Sequence, residues 1–121
     1  MLTFTLPYPP TVNTYWSRTR NGMRRSDRAS EYISAVGWAT RPIRAKLPAE
    51  GILCPISVEI DIYPPDRRRR DIDNISKATL DAMQKAGIYA DDNQVERLVL
   101  TRMTQMSIGG YLEVRISEYI G

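Results

Sequence analysis

The 121-residue chain has no histidine, one cysteine (Cys54) and only three lysines (Lys46, Lys77 and Lys85). Without histidine there is no Ser-His-Asp triad, no imidazole general base and no histidine-ligated metal. A single cysteine excludes a disulfide framework and the cysteine-rich zinc sites, and it fits a reducing compartment. The opening Met1-Leu-Thr-Phe-Thr-Leu6 lacks a charged region followed by an apolar run, so no signal peptide is readable. No stretch approaches the roughly 18 uninterrupted apolar residues of a membrane span. The expectation is a cytoplasmic protein with no membrane contact. Its catalysis would have to run on carboxylates, Lys, Arg, Tyr or a hard metal ion held by oxygen.

What the chain does have is arginine. Fourteen of its seventeen basic residues are Arg, against fourteen Asp and Glu, for a formal charge of +3. The charge is unevenly spread. Residues 1–70 hold twelve basic and six acidic residues, or +6, whereas residues 71–121 hold five and eight, or −3. A basic half joined to an acidic half suits a polyanionic partner with a cation site nearby. At 42% hydrophobic and 26% charged, the composition is that of one ordinary globular domain spanning residues 1–121.

Thr3–Leu6 reads as a short strand, stopped by the prolines at positions 7, 9 and 10. Thr11 to Arg25 has no period and reads as a long loop. Ser26 can cap a helix whose stripe is Ala29, Tyr32, Ile33, Val36 and Thr40, with Trp38 as a structural residue. Cys54, Ile56, Val58, Ile60 and Ile62 alternate with polar residues in a strand buried on one face. A second helix should begin near Asp73 or Asn74, with Ile75, Thr79, Ala82, Met83 and Ala86 buried. Lys85 and Gly87 form its stop signal. Val95–Met103 and Tyr111–Tyr119 read as strands paired like a hairpin. The expected fold is a two-layer α+β domain, a small mixed sheet of about four strands with two helices.

Six of the eight aspartates fall between Asp66 and Asp92. Asp71 and Asp73 are two apart, so in an extended segment their side chains share a side while Ile72 faces the core. Lys77 follows Asp73 by four, one helical turn on. If the chain doubles back after the helix, Asp92 can approach Asp71 from an antiparallel neighbour. Three clustered carboxylates repel one another unless a cation joins them. All-oxygen ligation selects Mg²⁺, with Mn²⁺ as a substitute, and such an ion serves phosphodiester hydrolysis. The residues alone also allow a plainer arrangement, with Asp73 capping the helix, Asp91 or Asp92 shaping a turn and Lys77 in a solvated ion pair.

Arg67, Arg68, Arg69 and Arg70 offer bidentate phosphate contacts, and Asn74 lies beside them. Arg18, Arg20, Arg24, Arg25 and Arg28 form a second basic segment interleaved with Tyr15 and Trp16. That combination is suited to phosphates and unstacked bases, or else the two rings simply pack over the sheet.

Together, Leu6-Pro-Tyr-Pro-Pro-Thr-Val-Asn13, Pro65-Asp-Arg-Arg-Arg-Arg-Asp-Ile-Asp-Asn74, Lys85-Ala-Gly87 and Asp91-Asp-Asn-Gln-Val95 resemble the RusA-type crossover-junction (Holliday junction) endodeoxyribonucleases. The resemblance covers nearly the whole chain and departs mildly at Thr11 and Ile72, where Ser and Leu are usual. It implies a Mg²⁺-dependent homodimer that resolves four-way DNA junctions in recombination and repair. Paired symmetric nicks beside a CC dinucleotide are also implied, as is carriage by bacteria, phages and prophages. By the same resemblance Asp71, Asp73 and Asp92 are catalytic metal ligands, Lys77 is the essential lysine and Asp91 is a supporting ligand. A two-fold junction with two nicks calls for two symmetric sites, hence a dimer. Two other readings are a non-catalytic nucleic-acid-binding module, whose binding would fall with salt and ignore Mg²⁺, and a related nuclease for other branched DNA.

Overall fold

The computed structural model describes residues 1–121, apart from the side chain of Val12. In chain order its elements are β1 (Leu2–Pro7), α1 (Val12–Tyr15), β2 (Trp16–Thr19), β3 (Gly22–Arg25), α2 (Asp27–Ala39), α3 (Arg41–Arg44), β4 (Ile56–Tyr63), α4 (Ile72–Lys85), β5 (Val95–Arg102) and β6 (Tyr111–Glu118). A 3₁₀ turn at Asp92–Gln94 leads into β5. The main sheet has the order β1-β6-β4-β5, and β2 and β3 form a separate two-stranded ribbon.

The period-two pattern of β4 turns Ile56, Val58, Ile60 and Ile62 inward, where they meet Leu112, Val114 and Ile116 of β6 and Phe4 and Leu6 of β1. Ala29, Tyr32 and Val36 of α2 and Ile75, Ala78, Ala82 and Met83 of α4 close this core from one side, which gives the expected two layers. The other face is ionic. Arg115 bonds Glu59 and Asp61 at 3.0–3.2 Å, and Arg97 bonds Glu59 at 2.9 Å. No helix among the described residues is long and apolar enough to cross a membrane.

Three expectations need correction. First, Thr11–Arg25 is not a loop: it folds into α1 and the β2–β3 hairpin, which turns at Arg20-Asn21 with Gly22 at φ 121°. Second, β5 and β6 do not pair. β5 runs parallel to β4 at the sheet edge, while β6 lies antiparallel between β4 and β1. With α4 as the crossover, β5 must return in the direction of β4. The Met103–Gly110 connection then carries the chain past the end of β4 to the far side. Third, Trp38 is 70% exposed and stacks on Arg41 at 5.0 Å, so it is not a core residue. The short α1 and α3 bring the helices to four.

Candidate active site

The C-terminal end of β4 is where the chemistry-bearing residues begin to gather. After Tyr63 two prolines stop the strand, and the segment to Asp71 is held by Asp66. The Asp66 carboxylate takes both arms of the Arg70 guanidinium at 2.8 and 3.1 Å and the Arg68 backbone N–H at 2.8 Å. The Arg70 side chain and the Arg68 N–H hold its pKa down to about 2. The Arg102 guanidinium donates to the Arg70 carbonyl, and the Arg70 guanidinium lies 5.7 Å over the Tyr8 ring. Arg70 is thus an internal strut as well as a surface cation. Arg67, Arg68 and Arg69 are exposed, and none forms an ion pair among the described residues.

Helix α4 starts at Ile72, earlier than the sequence expectation, and Ile72 packs against the core as anticipated. Asp73 therefore sits in the first helical turn rather than in an extended pair with Asp71. Asp71 occupies the N-cap with β-region dihedrals, yet its side chain makes no capping hydrogen bond. Among the described residues neither the Asp71 nor the Asp73 carboxylate has a hydrogen-bond or ion-pair partner, although both are exposed beside three free arginines. Lys77, exposed one turn further along, is also unpaired, so the plain i,i+4 pair with Asp73 does not form. Capping and ion pairing leave these groups unused.

Asp92 is elsewhere. It follows the C-terminal end of α4, whose 14 residues at about 1.5 Å each span roughly 20 Å. Because β5 is parallel to β4, Asp92 lies at the start of the strand pair and Asp71 beyond its end. An antiparallel return would have closed that distance, and the chain does not make one. Accordingly, no three acidic, histidine or cysteine side chains among the described residues gather into a metal-binding group. One protomer offers the Asp71–Asp73 pair alone. Two hard carboxylates with room for water and phosphate oxygens suit Mg²⁺, which keeps much of its hydration and takes few protein ligands. The pair fits that ion, whereas a three-carboxylate cage within one chain does not.

The surroundings of Asp92 are built in detail. Tyr89 donates to Leu80 O at 2.6 Å and to Asp92 Oδ1 at 3.0 Å. With its amide nitrogen toward the carboxylate, Gln84 reaches both Asp92 oxygens at 3.2 Å. Burial of the carboxyl pushes its pKa up and nearby Asp81 and Asp91 add to the rise, while the Tyr89 hydrogen bond opposes it. Asp91 is committed to the turn: its Oδ1 accepts from the Asn93 N–H at 2.8 Å, and Gln94 closes the reciprocal bond to the Asp91 N–H. That capping role accounts for the Asp91 carboxylate in this protomer, in place of the supporting-ligand role expected of it.

The second basic segment divides in the same way. Arg18, Arg20 and Arg24 are exposed along the β2–β3 hairpin, and Arg28 is exposed on α2. Arg25 instead faces inward and clamps Asp81 of α4 with Nε at 2.7 Å and Nη2 at 2.6 Å, and it lies 5.2 Å over Trp16. Fully buried Tyr15 donates to the same carboxylate at 2.5 Å. Burial alone would raise the Asp81 pKa; the Arg25 fork and the Tyr15 hydroxyl outweigh it and hold it below the usual range. Of the two aromatic readings, packing is correct for Tyr15, and Trp16 is half-buried. Asp81 had a readable signal: a carboxylate on the inward flank of an amphipathic helix needs a partner. Tyr8 and Asn13, which with Asn74 line a cleft next to Asp71, stand out by no residue pattern of their own.

The sequence profile of the endodeoxyribonuclease RusA family matches residues 7–117. The chain is 40% identical over 119 residues to the crossover junction endodeoxyribonuclease RusA of Shigella sonnei (strain Ss046), covering 94% of this chain and 92% of that protein. With the same coverage, it is 39% identical to the crossover junction endodeoxyribonuclease of Enterobacteria phage 82 and 38% identical to that of Escherichia coli (strain K12).

Proposed function

This chain belongs to the RusA family of endodeoxyribonucleases, and from that premise we propose that it is a Mg²⁺-dependent endonuclease that resolves four-way DNA junctions by paired symmetric nicks in recombination and repair. The observation that carries the reading is the pair of unpartnered carboxylates, Asp71 and Asp73, at the start of α4 beside Arg67–Arg69 and Lys77. The cation would be held by Asp71 and Asp73. When bound it supplies a polarised water and neutralises charge on the phosphoryl oxygens. Arg67, Arg68 and Arg69 grip the backbone phosphates flanking the cut, and Lys77 sets a positive charge beside the scissile phosphate. Arg18, Arg20 and Arg24 extend the phosphate contacts along the hairpin, with Arg25 fixing its base.

The third carboxylate comes from a second copy. Asp71 and Asp73 mark one end of α4 and Asp92 the other. A two-fold axis crossing the middle of that helix brings the start of one α4 near the end of its counterpart. Each of two symmetric sites then combines Asp71, Asp73 and Lys77 of one protomer with Asp92 of the partner subunit. A homodimer of this kind matches the two-fold symmetry of a junction and allows two nicks. Relatives from enteric bacteria and a phage support a bacterial or phage-encoded protein acting on DNA in the cytoplasm.

The test offers the purified protein a synthetic four-way junction and the matching linear duplex, with and without Mg²⁺. Paired nicks in the junction alone, and only with Mg²⁺, are expected. Equal cutting of the duplex defeats junction specificity, and cutting of neither leaves a binding module.

A further inference from the structure

A cleft of about 420 Å³ opens directly beside Asp71, between the proline-rich Tyr8–Thr11 segment and the first turns of α4. Its size falls within the roughly 300–1,000 Å³ of small-ligand sites. Tyr8, Pro9 and Pro10 give it flat apolar walls, and Asn13 and Asn74 add amide groups that can both donate and accept. The Tyr8 ring is clamped. Arg70, itself locked by Asp66, lies over it at 5.7 Å, and a Cβ at Gly110 would meet it at 2.8 Å. Yet the Tyr8 hydroxyl, buried as an atom, has no hydrogen-bond partner among the described residues. A buried hydroxyl left unpaired costs free energy in the fold, and here it borders a cavity adjoining the carboxylates that face the scissile phosphate.

A flat, aromatic-walled space with two amides and an orphan hydroxyl, one step from a phosphate site, matches one chemical class. We propose that this cleft receives the unstacked nucleobase adjoining the scissile phosphate. Pro9, Pro10 and the Tyr8 ring line its faces, and the Tyr8 hydroxyl with the Asn13 and Asn74 amides reads its polar edge. The claim rests on the reading of this chain as a junction endonuclease and adds to it a base-dependent step. At a branch point the base is already partly unstacked, so extrusion there costs less than in a continuous duplex.

The test measures kcat/KM on junctions that differ only in the nucleotide flanking the scissile phosphate: four bases and an abasic residue, 5′ and 3′ in turn. Wild type, Tyr8→Phe and Asn13→Ala are compared. Wild type should cut the abasic junction at least about tenfold more slowly than the best base, the discrimination expected of one well-read base edge. Both variants should shrink that ratio by about fivefold or more. Asn13 is exposed, so its replacement leaves the core intact. Tyr8→Phe should leave the unfolding temperature unchanged or raised, whereas a hydroxyl serving only the fold would lower it. Two results overturn the proposal: equal cutting of abasic and intact junctions by wild type, or uniform slowing on all junctions in both variants, as a phosphate subsite would give. No cutting of any junction removes the underlying reading and this claim with it.

Discussion

Replacing Asp81 with alanine removes the acceptor shared by Arg25 and Tyr15, and its effect follows from the geometry. The Asp81 side chain is 12% exposed, accepts at 2.5, 2.6 and 2.7 Å, and joins α4 to the end of the basic hairpin. Breaking a buried ion pair by removing one member costs roughly 3–5 kcal/mol. Arg25 is 34% exposed and regains water, which brings that part toward or below the lower bound. The Tyr15 hydroxyl is fully buried and becomes an orphan, adding about 1–3 kcal/mol. The combined loss should be about 3 kcal/mol, or roughly 12 °C in unfolding temperature for a chain of this size. Asp81→Asn keeps the shape and one acceptor, so it should lose about half as much. The assay is urea and thermal unfolding of wild type and variants at one fixed protein concentration.

The pH dependence has a fixed sign. The folded pKa of Asp81 is depressed, so its contribution is complete above the unfolded carboxyl pKa of about 4 and disappears as pH falls through the folded value. The gap between wild type and Asp81→Asn should hold from neutral pH to about pH 5 and narrow below about pH 4. A variant within about 0.5 kcal/mol of wild type, or a gap unchanged at pH 3, refutes the claim that this triad anchors the hairpin.

Other outcomes follow from the same contacts. Asp71→Asn and Asp73→Asn should abolish nicking, retain junction binding in gel-shift assays and move stability by no more than about 0.5 kcal/mol, because neither carboxylate has a protein partner. Asp92 behaves oppositely in the metal-free protein. Its folded pKa is raised, chiefly by burial, so its ionised form opposes folding, and Asp92→Asn should raise the unfolding temperature at pH 7 in EDTA while abolishing nicking. Gly110→Ala should cost about 1–3 kcal/mol by urea unfolding, since φ is 69° and the new Cβ would meet the Tyr8 ring at 2.8 Å.

The parts of this fold that were readable are those set by neighbours in sequence. The alternation in Ile56–Ile62, the stripe Ile75–Met83 and the Ser26 cap each depend on a local period or a single hydrogen bond, and each is present. The β2–β3 ribbon escaped because its four-residue strands are polar on both faces, leaving only Asn21-Gly22 as a signal. Trp38 was assigned by residue type, although it falls off the Ala29–Val36 stripe. The place of β6 between β1 and β4 is a non-local choice that no turn residue encodes. The site divides along the same line. Asp71, Asp73 and Lys77 were legible because they share one helix start, whereas the place of Asp92 depends on whether β5 runs parallel or antiparallel to β4. The roles of Arg25 and Arg70 depend on carboxylates with which they share no local period or stripe.

The most direct test of a site shared between two protomers mixes two inactive variants, Asp71→Asn and Asp92→Asn, and lets their subunits exchange. If each site takes Asp71 from one protomer and Asp92 from the other, a mixed dimer carries one site with both substitutions and one site with neither. Single-strand nicking of a four-way junction should then return in the mixture, approaching half the wild-type site activity per mixed dimer. If each site is built within one protomer, both sites of the mixed dimer stay defective, and a mixture as inactive as its components contradicts the shared site.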